Sequence, residues 1–275
     1  MFLATPITAS VIMAGMLGYF GTHILTRRII FIDIAVAQIA ALGTMIGILL
    51  GFAEEALEVQ LISYGFTLLI IGAFAFLKYN ALPIPAEAVI GIIYCLGLAL
   101  ALLLAERIPG GSNFITKTIT GNILWVTWDK VLRLGLLFSG IAVIHLLLGK
   151  RFQSLSGQMN EPDVNQKLTD RFLNLLFYIT FGVVVVKAVH IGGIFLVFSL
   201  LIAPAVAAAM FVRSWKGRMF WSWIIGLAAT VIGIVFSYWL NISNGPAIVN
   251  ILGLLVFALA FLKLFKPLKN GGVSC

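Results

Sequence analysis

The chain reads as an all-α polytopic membrane protein, and three observations carry that reading. Hydrophobic residues make up 61% of its 275 positions. Charged residues make up only 10%, against roughly 25% in a soluble domain, and the mean hydropathy is +1.11. The apolar residues are gathered into runs of about 20 residues, the length that crosses a bilayer as a helix. An aqueous globule is excluded.

The runs fall near 6–25, 29–52, 58–77, 86–105, 131–149, 171–189, 194–212, 220–240 and 246–265. This predicts about nine spans, or eight if the 171–212 region holds a short or broken helix. Arg27, Arg28, Lys78, Lys150, Arg151, Lys167, Arg171, Arg213, Lys216, Arg218, Lys263, Lys266 and Lys269 fall in alternate connections or the tail. By the positive-inside rule those connections are cytoplasmic, which puts the N-terminus outside and the C-terminus inside. Glu54, Glu55, Glu58 and the 106–130 connection then lie outside. The net charge of +8 reads as orientation and attraction to lipid headgroups, and no nucleic-acid partner is expected. The first run has no basic segment before it, so it is expected to be a spanning helix and not a signal peptide. Cys95 and Cys275 lie in different settings, so no disulfide framework is expected.

Two polar stretches interrupt the pattern. The first, 106–130, contains Gly121-Asn122-Ile123-Leu124-Trp125 and Trp128, with tryptophans suited to an interface belt. The second, 150–171, is the longest cytoplasmic connection, and Gln158, Asn160, Glu161, Asp163 and Asn165 are its candidate contacts to a driving subunit. Ala40, Gly43, Gly47 and Gly51 form a small-residue face on the second span, which packs within the chain or between copies. The chain lacks a G-x-x-x-x-G-K-[ST] phosphate loop and an H-E-x-x-H pair, so neither an ATPase nor an intramembrane metalloprotease is expected.

The segment Gly192 to Ala205, with Pro204 deep in an apolar run, resembles a signature of the permeases that import zinc, manganese or iron(II) in ATP-binding-cassette (ABC) systems. Gly18 to Gly51, with Arg27-Arg28 and Gly43 in register, is similar to the same family, as are Glu87 to Gly97, Gly121 to Leu124 and Asn244 to Ala247. The resemblance covers nearly the whole chain and implies one permease domain over 1–275, of the type II ABC importer kind. Pro204 removes a helical hydrogen bond, so a bend or break is expected around it, beside the path.

The departures bear on cargo. The family places Asp and His four residues apart on the second span, on one face. Here those positions are Ile34 and Gln38. Asp33 is one residue off, and five residues from Gln38 it points roughly 140° away. Asp33 reads either as a helix-start carboxylate near Arg27 or Arg28, or as a functional acid. Cys95 stands where some zinc permeases carry histidine, and Glu87 matches an acidic family position while also sitting at a helix start. The candidate path residues are therefore Asp33, Gln38, Glu87, Cys95, Asn122 and Pro204, with Asp33 and Cys95 as the candidate metal ligands. His190 and Lys187 are candidates for an outer gate or a contact to a binding protein, and a solvated loop histidine is the plainer reading of His190. His23 and His145 stand isolated on apolar runs.

The resemblance implies a homodimer in a bacterial or archaeal plasma membrane, two cytoplasmic ATPase subunits and an extracytoplasmic solute-binding protein. It implies no cofactor on this chain, with ATP used by the partner, and transport by alternating access. An importer of a metal chelate or another small solute on the same fold is the alternative, ahead of a stand-alone carrier or a membrane enzyme.

Overall fold

The structure is a computed structural model and describes residues 3–76, 84–121, 123–158 and 168–265. Among these, the helices are α1 (Ala4–Arg27), α2 (Ile32–Leu49), α3 (Leu57–Phe76), α4 (Ala86–Ala105), α5 (Gly111–Thr120), α6 (Trp128–Gln158), α7 (Leu168–Phe211), α8 (Trp215–Leu240) and α9 (Asn244–Phe265). A 3₁₀ turn, Ile123–Trp125, links α5 to α6. Eight of these helices are long and apolar enough to cross a membrane, and α5, with 10 residues, is not.

The number of crossings is decided inside α7. Its 44 residues contain one residue with non-helical torsions, Gly193, at φ 77° and ψ 164°. The neighbours of the two halves run in opposite order along α1. Asn174 meets Arg27 at the end of α1, and Gly192 approaches Met13 near its middle. Beyond Gly193 the chain comes back, and Leu201 and Ala205 press against Gly21. The segment is thus two antiparallel arms folded at Gly193, so eight membrane-length helices make nine passes. This places the break eleven residues before Pro204, where the sequence reading put it. Pro204 is buried inside the returning arm and packs against Gly226 of α8.

The reversal needs glycine. Gly121, ending α5 at φ 75°, and Gly193 both adopt a conformation open in practice to glycine alone. Their backbones lie against one another, and a Cβ on either would enter the other's main chain.

The core is formed by α1, α2 and α7. The membrane-length windows of α1 and α2 are 67% and 78% buried, whereas that of α4 is 17% buried and faces outward. Lipid offers no hydrophobic drive for helices to associate, so close approach of backbones has to supply packing energy. The small-residue face of α2 does this within the chain. Gly43 abuts the Cα of Ser63, Gly47 abuts Val59, and the Ser63 hydroxyl donates to the Ala40 carbonyl at 2.8 Å.

Candidate functional site

Two polar regions stand at opposite ends of the bundle. One, called the outer region after the side to which the distribution of basic residues assigns it, is a cleft between α2, α5 and α7, lined by Ala37, Ala40, Ala41, Thr44, Glu54, Phe114, Lys117, Thr118, Val189 and His190. Small residues on α2 leave its floor open. Ala37, Ala41 and Thr44 share a helix face with Ile34, because spacings of three and four residues return to one side of a helix. That face leads inward from the cleft to Ile34, which is partly open while its neighbours Asp33 and Ala35 are buried.

Glu54, from the turn after α2, receives a hydrogen bond from the Lys117 ammonium of α5 at 2.9 Å, with both side chains about half exposed. Glu55 pairs likewise with Lys130 at 3.1 Å. His190 is no loop residue. It lies in α7 ahead of the fold-back, is exposed to the cleft, and its Nδ1 donates to the Val186 carbonyl at 2.7 Å. Lys187 turns elsewhere, toward Gln60 Oε1 at 3.5 Å and the face of Tyr64.

The inner region is a buried knot of α1, α6 and α7. The Arg27 guanidinium donates through Nε to the Ser156 hydroxyl at 3.0 Å and through Nη1 to Asn174 Oδ1 at 2.7 Å. It lies over the Phe177 ring at 3.8 Å. His23 Nδ1 shares the Ser156 hydroxyl at 2.8 Å, and Ser156 donates to the Phe152 carbonyl. His145 bridges Tyr19 and Thr180 at 3.1 and 2.8 Å. His23 and His145 are therefore not isolated: each is hydrogen-bonded in its own set, and both rings pack on Tyr19 and Phe177. Arg27 is also no headgroup contact. It is 4% exposed and, among the described residues, pairs with no carboxylate.

The residues singled out from the sequence are mostly kept apart. Asp33 is buried with Oδ1 unpartnered, and neither Arg27 nor Arg28 pairs with it. Gln38 is buried against Gly97 of α4. Cys95 is exposed. Two residues from Gly97, it points roughly 200° away around the helix, so Asp33 and Cys95 share no face within a protomer. Glu87 is half-buried in the first turn of α4. Among the described residues no three His, Cys, Asp or Glu side chains gather as a metal cluster. Asn122, Asn160, Glu161, Asp163 and Asn165 lie outside the described residues, and Gln158 is the last residue of α6.

Sequence reasoning used Glu54 only to orient the chain and passed over Lys117, and it counted Arg27 as a loop charge. The spacing of His23 and Arg27, one turn apart on α1, was the available signal for the inner knot.

A model of the ABC 3 transport family matches residues 1–263. The manganese import system permease protein ScaB of Streptococcus gordonii is 26% identical over 265 residues, covering 94% of this chain and 90% of that protein. The chelated iron transport system membrane protein YfeD of Yersinia pestis is also 26% identical, over 74% of this chain and 70% of its own length. Among solved structures, PsaBC of Streptococcus pneumoniae in complex with Fab superposes with a TM-score of 0.78 at 22% identity, over 98% of this chain and 95% of that one.

Proposed function

Because the chain belongs to the ABC 3 transport family, it is a multi-pass transport subunit and not an enzyme, and we propose that its cargo is a divalent transition-metal ion, zinc, manganese or iron(II), taken into the cytoplasm. The observation that carries this is the match to relatives named for manganese, along 94% of the chain, and for chelated iron, along 74% of it. The open outer cleft supports it too, because it leads onto the α2 face at Ile34.

In this reading two copies form the path, two cytoplasmic ATPase subunits drive it, and an extracytoplasmic binding protein delivers the cargo. The N-terminus is outside. The connection between α6 and α7 takes the ATPase stroke, and alternating access follows from relaying it into the bundle. Arg27 suits that relay. Ser156 stands close before the end of α6 and Asn174 early in α7, and one guanidinium ties both to α1. A planar fork makes two directed bonds at once, which an ammonium at the same place does not reproduce.

Reconstitution into liposomes with the ATPase and binding protein encoded beside the gene tests the cargo. ATP-dependent uptake of free manganese, zinc or iron(II) is expected. Uptake of a chelate alone, with all three free ions refused, would replace this reading by the chelate importer, toward which Ile34 and Gln38 in place of the family's Asp and His point.

A further inference from the structure

Resting on the reading of the chain as a metal importer, we propose that the outer cleft is a docking site for the incoming divalent ion, with His190 Nε2 and the Glu54 carboxylate as protein ligands and Lys117 as the resident cation that the ion displaces. A carbonyl oxygen only accepts hydrogen bonds, so the 2.7 Å contact to Val186 fixes the proton of a neutral His190 on Nδ1. Nε2 then carries the lone pair, and among the described residues no side chain or backbone group bonds it. Histidine ligands in metal sites are held in the same manner, with the second ring nitrogen donating to a carbonyl or carboxylate.

Glu54 lines the same cleft as His190. Its carboxylate is already engaged by a cation, the Lys117 ammonium at 2.9 Å, so the position suits positive charge. Because that pair is about half exposed, solvent screens it, and a divalent ion displaces it at little cost. Imidazole nitrogen and carboxylate oxygen are ligands common to zinc, manganese and iron(II). Two protein ligands leave the remaining coordination to water, which suits an ion that must leave again. The walls agree with this. Ala37, Ala40 and Ala41 place no bulk over the opening, and Thr118 offers a hydroxyl to the hydration shell. The ligands that the second span lacks at Ile34 and Gln38 are thus partly supplied at the mouth, from different elements.

The test is titration of the purified permease in nanodiscs with Co(II), read by its visible ligand-field absorption. Saturable binding is expected, weakened at least about tenfold by His190→Ala and by Glu54→Gln, and tightened several-fold by Lys117→Met, since the competing cation is gone. The opposite signs for Glu54 and Lys117 separate a ligand site from a structural ion pair, whose two members would change binding alike.

Chemical labelling of the unmodified protein guards against misfolded variants. His190 is exposed and is one of three histidines, the other two, His23 and His145, being buried. Acylation by diethylpyrocarbonate is therefore expected at His190, with protection by Co(II). Equal Co(II) affinity in His190→Ala, or His190 labelling that Co(II) does not slow, would overturn the site. Co(II) bound at His190 in a permease that imports no metal would leave the site standing and remove the transport reading on which it was founded.

Discussion

At the outer end of the bundle Glu54 and Lys117 meet in solvent, each about half exposed, beside a histidine whose second ring nitrogen has no partner among the described residues. At the inner end Arg27 is buried, donates to two helices at once and lies on an aromatic ring. Charged side chains serve opposite purposes at the two ends. An exposed pair exchanges partners readily, since water repays the loss of either. A buried guanidinium cannot let go of its acceptors without leaving them dry, so the helices that hold it move together or not at all. In the proposed reading the exposed pair belongs to an end that opens and the buried guanidinium to an end that transmits.

The largest effect is expected where the two regions are joined through α7. Gly193→Ala and Gly121→Ala each put a side chain in a conformation costing about 1–3 kcal/mol and drive it into the facing backbone. Both should abolish the correctly folded protein in size-exclusion profiles, whereas Gly65→Ala, with nothing within 4 Å of the added carbon, should not. Normal profiles for both variants would remove the fold-back as the hinge between the two ends.

Next in size is the α2 face at Ile34, the middle of the proposed path. Ile34→Asp with Gln38→His restores two ligands one turn apart on α2, and should make the permease retain zinc at least about tenfold more tightly, or about 1.4 kcal/mol, as measured by metal content after gel filtration. Unchanged retention would mean that the α2 face at Ile34 does not line the route from the cleft. The smallest effect is expected from Lys117→Met on thermal stability, which should shift by no more than about 1 kcal/mol. A larger loss would make the outer ion pair a structural clasp and erase its contrast with Arg27.

How much of this was legible in the sequence differs between the regions for a physical reason. Spans and the close packing of α2 follow from periodicity and small residues, because in a bilayer every spanning segment must satisfy its own backbone. The fold-back at Gly193 was half visible as a 171–212 region of uncertain count. Pro204 drew the expected break because a proline ring is the stronger sequence signal for a kink. The structure instead accommodates that ring over Gly226 and turns the chain where two glycine backbones meet. The outer cleft was hidden because its members come from α2, the following turn, α5 and α7, and no spacing in the sequence relates Glu54 to Lys117 or His190. Arg27 was seen and misplaced, since a basic residue at a helix end ordinarily marks the membrane face, and only tertiary packing turns it inward.

The account stands most directly on whether Arg27 carries the stroke from the α6–α7 connection into the bundle. Replacing a buried charge by an apolar residue of similar length is often tolerated, so Arg27→Met separates relay from folding. The measurement is the number of ions taken up per ATP hydrolysed in liposomes holding the complete transporter. The account predicts that Arg27→Met assembles with its ATPase and continues to hydrolyse ATP while ions per ATP fall at least about tenfold. An unchanged ratio, at whatever absolute rate, would contradict it.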